Sequence, residues 1–172
     1  MERGRTDSGI ASEIIPGITS GITPGIALWG GLKNICEVHF TAKSSNVETG
    51  WNGSGKGEVV VTVIDDNTMT FSETGKWTTF AGTELAFSNR YRWRLNEDQN
   101  SIQLEHLRYG ADNPVQLIEL VATGKRQWNT VTPHICNEDS YTLALAHDDK
   151  TVRMVWEIVG PNKNECIRYH YR

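Results

Sequence analysis

Glu73 interrupts an alternating apolar series, with Met69, Phe71 and Trp77 on the same expected face. His106 and Arg108 do the same beside Ile102 and Leu104, and Asp139 and Tyr141 beside Leu143 and Leu145. Side chains two apart on a strand share a face, so these polar groups are expected among apolar ones. A carboxyl taken out of water has its pKa raised toward neutrality and can then pass a proton in either direction. Glu73, His106, Asp139 and Tyr141 are therefore the candidate acid–base groups. Trp51, Tyr91, Trp93 and Trp156 offer ring faces that would shape an apolar substrate and stabilise developing positive charge. Arg108 or Arg168 would polarise a carbonyl or hold an acid, and His134 completes the candidate binding set. A buried unpaired charge is costly, so such groups must pair with one another or with a ligand. The opposing reading leaves each on the wet face of its strand. Polar interruptions on several strands weigh against it.

Metal and nucleotide chemistry fit less well. His134 and Cys136 are two apart and would share a strand face, yet no second His or Cys follows at a ligand interval, so no metal is expected. Cys36, Cys136 and Cys166 form neither a disulfide framework nor a zinc motif and read as free, mostly buried thiols. In the run from Gly50 to Gly57, Gly55-Lys56 is followed by Gly57 and a β-branched stretch, where a phosphate loop needs Ser or Thr and then a helix. Glycines at alternate positions instead let a strand bend at a barrel corner, with Trp51 plugging one end. No cofactor is expected. Haem held by one His is a further reading, with His39, His106, His134, His147 and His170 as candidates and nothing to select among them.

The elements that must position these groups are strands. Leu85, Phe87, Asn89, Tyr91, Trp93 and Leu95 alternate with Ala86, Ser88, Arg90, Arg92 and Arg94, a half-buried antiparallel strand. A polar turn over 96–100 returns it through Ile102 to Tyr109. Further strands are expected over 35–41, 58–64, 68–77, 115–121, 127–131, 141–147, 151–159 and 165–171. The stretch from Thr132 to Tyr141 reads as a capping loop: Pro133 fixes its direction, Asp139 bonds backbone amides and Tyr141 packs inward. About eight to ten strands with almost no helix predict an all-β, antiparallel up-and-down barrel; a two-sheet sandwich is the alternative. Residues 1–31 differ. Pro16-Gly17-Ile18, Ser20-Gly21-Ile22 and Pro24-Gly25-Ile26 recur, and the segment reads as an irregular arm laid over the barrel mouth or against a second chain, with a short helical turn over 27–33. The barrel domain is then 32–172.

A length of 172 residues suits one domain, and a net charge of −4 argues against a nucleic-acid surface. No apolar run is long enough to span a bilayer, and the N-terminus lacks a signal pattern, so no membrane and a cytoplasmic location are the expectations.

Several stretches together resemble a family of uncharacterised small calycin-like barrel domains, related in shape to lipocalins and fatty-acid-binding proteins. They are Trp51 to Gly57, Phe71 to Gly75, Tyr91 to Arg94, His106 to Gly110, Pro133 to Cys136 with Asp139 and Tyr141, and Trp156 to Lys163. The resemblance spans about residues 27–172 and implies a calycin-like barrel. A second likeness concerns Cys166 to His170, which is similar to the last strand of fatty-acid-binding barrels, where an Arg and a Tyr hold a ligand carboxylate. It implies that Arg168 anchors an anion, while His170 stands where the Tyr would be.

Three functions fit such a chain. The first is a cofactor-free isomerase or cyclase acting by acid–base catalysis on a small hydrophobic biosynthetic intermediate. The second is a non-catalytic carrier of a small hydrophobic anion. The third is an interaction domain whose barrel is filled by side chains and whose arm joins copies into a homo-oligomer.

Overall fold

Period-two alternation organises almost every segment of this chain. The computed structural model describes residues 22–45 and 52–172. Trp51 and residues 1–21 lie outside them, so the first units of the proline-glycine repeat, the arm's proposed joining of copies and the expected plug by Trp51 do too, while Pro24-Gly25-Ile26 is described.

The order is α1 (Pro24–Leu32), β1 (Glu37–Ser44), β2 (Gly53–Asp65), β3 (Thr68–Thr79), β4 (Glu84–Leu95), β5 (Ser101–His106), β6 (Val115–Gly124), β7 (Gln127–Thr130), β8 (His134–Cys136), β9 (Asp139–His147), β10 (Val152–Gly160) and β11 (Lys163–Tyr171). Except for β7 and β8, neighbours in sequence pair antiparallel, β1 pairs β11, and β9 pairs both β7 and β10, which closes a barrel of ten strands. β8 is an additional short strand on β9. Closure leaves the barrel wall without open edges. Among the described residues no helix is long and apolar enough to cross a membrane.

The expected strands are present, with three differences. β2 begins in the glycine run itself and extends unbroken from Gly53 to Asp65. The segment over 134–136, expected as part of a capping loop, forms β8, because Asn137 adopts φ 55° and turns the chain directly into β9. The short turn expected over 27–33 is a nine-residue helix. Thr23 caps it, its Oγ1 accepting from the Ile26 amide at 3.3 Å, and Pro24 occupies the first turn, where a missing N–H costs nothing. Three glycines disfavour this helix, but burial outweighs them: Leu28, Trp29 and Leu32 are 0%, 3% and 1% exposed. Gly25 donates its amide to the Gln99 carbonyl at 3.0 Å, docking α1 against the β4–β5 turn.

The helix plugs one end of the barrel. Leu28, Trp29 and Leu32 share a single core with Val38, Met69, Phe71, Trp93, Ile102, Leu120, Trp128, Leu143 and Val152. The packed unit thus begins inside the segment read as an arm. Toward the opposite end, the same inward faces carry the partly buried Phe87, Tyr91, Trp156 and Tyr169 beside the buried Phe40, Ile158 and Glu165. One half of the barrel is solid and the other is looser and more polar.

The cysteines do not follow the expectation of burial. Cys36 and Cys136 are exposed and Cys166 is half-buried. Cys166 falls on the outward register of β11, opposite Lys43 and Glu157.

Candidate functional site

Alternation on β3 sends Met69, Phe71 and Glu73 inward together, and Glu73 is 0% exposed. It sits where the solid half of the barrel gives way to the looser one. Tyr171 donates its hydroxyl to Glu73 Oε1 at 2.8 Å, and Asn89 Nδ2 donates to Oε2 at 3.3 Å. Asn89 is the Cα partner of Glu73 on β4, whereas Tyr171 reaches it across the interior from β11. Among the described residues no Lys, Arg or His forms an ion pair with this carboxylate. Burial raises its pKa above the usual carboxyl value, and the two hydrogen bonds only partly oppose that.

Around this carboxyl the interior is phenolic. Burial, joined by the nearby Glu73 charge, pushes the hydroxyls of Tyr91, Tyr169 and Tyr171 above their ordinary range. Tyr169 and Tyr171 stack with centroids 5.8 Å apart. Tyr91 is the Cα partner of His106, and their rings stack at 5.0 Å. The imidazole's pKa is lowered, first by burial and then by the Arg108 charge, so His106 is neutral at pH 7. Phe40 closes one side, edge-on to Phe87 at 5.4 Å and tilted against Tyr169 at 5.4 Å. The glycines explain how these rings fit: a Cβ at Gly57 or Gly75 would lie 2.9 or 2.8 Å from Phe87, and one at Gly55 would collide with Phe40.

The candidate residues therefore separate. Glu73 and Tyr91 lie near each other on the interior side, His106 joins them by stacking on Tyr91, and Trp156 is half-buried on the inward face of β10. Tyr141 is half-buried at the start of β9, and His134 on β8 meets its ring edge-on at 5.9 Å. Asp139 stands at the adjoining rim and accepts from Lys163 Nζ at 2.6 Å; its partner is this ammonium, in place of the backbone amides expected. Trp93, 1% exposed, belongs to the solid floor and packs on Phe71. Two arginines lie elsewhere. β5 ends at His106, so Arg108 leaves the strand face and lies exposed over the Tyr109 ring, 4.8 Å from its centroid. Arg168 is exposed on the outward register of β11, because Ile167, Tyr169 and Tyr171 take the interior positions. Neither guanidinium reaches the polar interior.

Asn89, Tyr169 and Tyr171 are the members that the candidate set lacks. The signal for the tyrosines was present in β11: of its two faces, the aromatic-aliphatic one is the face a barrel buries. Among the described residues, no three His, Cys, Asp or Glu side chains converge as a metal site would require.

Comparison with curated proteins and with solved structures gives no match to this chain. A family model does match: residues 37–172, the barrel strands from β1 to β11, fit the Family of unknown function (DUF6314), and the chain belongs to that family.

Proposed function

We propose that this protein is a calycin-like barrel that binds a small hydrophobic molecule in its looser half and isomerises or cyclises it by acid–base catalysis without a cofactor. The observation that carries the reading is Glu73: a carboxyl held wholly out of water, with hydrogen bonds but no cation among the described residues to keep it charged. A structural carboxylate is normally paired or solvated; one left in a phenolic, aromatic interior suits proton transfer. In this reading Glu73 gives a proton to the bound molecule, and His106, neutral because of burial and Arg108, accepts one. Tyr91 orients the imidazole by stacking, and Trp156 and Tyr169 supply apolar wall. Such chemistry needs only the bound molecule and these side chains, and a cytoplasmic setting suits it.

A non-catalytic carrier is the second reading. It is favoured by one fact: both Glu73 oxygens are already engaged, by Tyr171 and Asn89.

Native mass spectrometry of the full chain, followed by incubation with whatever small molecule co-purifies, tests the proposal. Retained binding with lost conversion in Glu73→Gln, and slowed conversion in His106→Ala, are the expected results. Conversion surviving both substitutions overturns the acid–base scheme. Binding without conversion by the unaltered protein selects the carrier. Failure to retain any hydrophobic molecule overturns both.

A further inference from the structure

The outer face of the barrel carries a line of basic side chains, three cations and two imidazoles, that the interior chemistry does not use. Cα pairing sets Arg153, His170, His39, Lys56 and Lys76 side by side across β10, β11, β1, β2 and β3. Arg168 lies in the adjoining row, opposite Thr41, which pairs Ser54 and through it Thr78. All these side chains are exposed, and both rows line one cleft of about 550 Å³, within the usual range for small ligands.

Like charges directly opposite on neighbouring strands, about 4.8 Å apart, repel and cost stability. Two of the cations are relieved locally, Lys76 by Glu84 at 2.6 Å and Arg153 by Asp148 at 3.6 Å. Among the described residues no ion pair relieves Arg168 or Lys56, and His39 directly faces His170. Sheet formation alone does not demand this arrangement, because any β-tolerant polar residues would complete the same register. An anion seated between the two rows removes the repulsion.

The surroundings define its size. Glu37 and Glu58 occupy the next outward row on one side, and Glu157 faces Cys166 beyond the other. An extended polyanion would have to cross these carboxylates on a chain of net charge −4. A compact anion stays within the cleft, where the single carboxylate, Glu84, is already paired with Lys76.

We propose that this cleft binds a small organic phosphate. Arg168, Lys56 and the facing pair His39 and His170 hold the phosphoryl group, and the hydroxyls of Thr41, Ser54 and Thr78 receive the polar remainder. The site opens on the outer face of the barrel, and its lining also includes Phe40, Met154 and Tyr169 of the wall strands.

Isothermal titration of the full chain with inorganic phosphate and with glycerol phosphate tests this. Saturable binding is expected for both, tighter for glycerol phosphate and weakened by added salt. Arg168→Ala and Lys56→Ala should each weaken it about tenfold, the usual effect of losing one charged hydrogen bond. Arg126→Ala, which removes an exposed cation paired with Asp149 elsewhere, should leave it unchanged. Thermal melts check that each variant is folded. Absence of saturable binding overturns the proposal, as does equal affinity in Arg168→Ala and Lys56→Ala. Tighter binding of a single-stranded oligonucleotide than of glycerol phosphate overturns it in favour of a nucleic-acid surface.

Discussion

Tyr171 and Glu73 bridge the barrel interior from strands that are not neighbours, the phenol donating to Oε1 at 2.8 Å. This bond ties the last strand to β3 and partly offsets the effect of burial on a carboxyl that the barrel hides completely. Tyr171→Phe removes an interaction that favours the ionised form, leaving burial to act against a single remaining donor, Asn89. The Glu73 pKa should rise further, and stability should fall by about 1–2 kcal/mol. Carboxyl NMR titration and urea unfolding read the two effects; an unmoved titration would show that the bond does not tune the acid.

The raised pKa of Glu73 also fixes the sign of a pH dependence. Between its unfolded value, near 4.5, and its higher folded value, the native state keeps a proton that the unfolded chain has lost. Stability therefore declines as pH rises through that window and levels off above the folded pKa. Glu73→Gln should remove this decline and make the protein more stable than the parent at neutral pH. Urea midpoints from about pH 4 to pH 8 provide the check, and parallel curves for parent and variant would contradict it.

Gly55 is open to the interior because the Phe40 ring occupies the place of its absent side chain. Gly55→Ala should cost about 1–3 kcal/mol by overpacking. In a Phe40→Leu background the cost should shrink, with a coupling of about 0.5 kcal/mol or more in a double-mutant cycle. Additive losses would mean that the methyl group is accommodated by another route.

Leu28 tests whether α1 is a plug or a decoration. At 0% exposure it is part of the barrel core, so Leu28→Ala should destabilise the whole domain by about 2–5 kcal/mol in one cooperative transition. A loss confined to local fraying near the helix would show that the barrel end closes without it.

Asp148 contributes to the acid limb, alongside Glu37 and Asp98, whose carboxyls are also held below their ordinary range. The Asp148 carboxylate accepts from the Lys150 amide at 2.9 Å and from the Thr151 amide and hydroxyl at 2.8 Å, and these bonds hold its pKa at about 2. Its contribution is present above the unfolded value of 3.8 and is lost as pH falls toward 2. Asp148→Asn should give a shallower loss of stability across that interval in acid titrations followed by circular dichroism.

Local pattern alone determined that this chain is built of antiparallel strands; the pairing of β1 with β11 decided for a barrel over a two-sheet sandwich. The alternation in β3, β4, β9 and β10 has one arrangement that buries its apolar face, and polar turns such as 96–100 join those strands directly. Glu73 was legible for the same reason, since a period of two leaves its direction unambiguous between Phe71 and Gly75. Tertiary structure decided the rest. Arg168 and Tyr169 are adjacent, so choosing which faces inward requires knowing which face of β11 the whole barrel buries. Arg108 left the interior because β5 stops at His106 and the strand rule ends with it. Helix α1 forms against its glycines because a pocket for Leu28, Trp29 and Leu32 exists only after closure. The Tyr171–Glu73 bond and the cation rows join residues from distant parts of the chain, and only strand pairing brings such residues together.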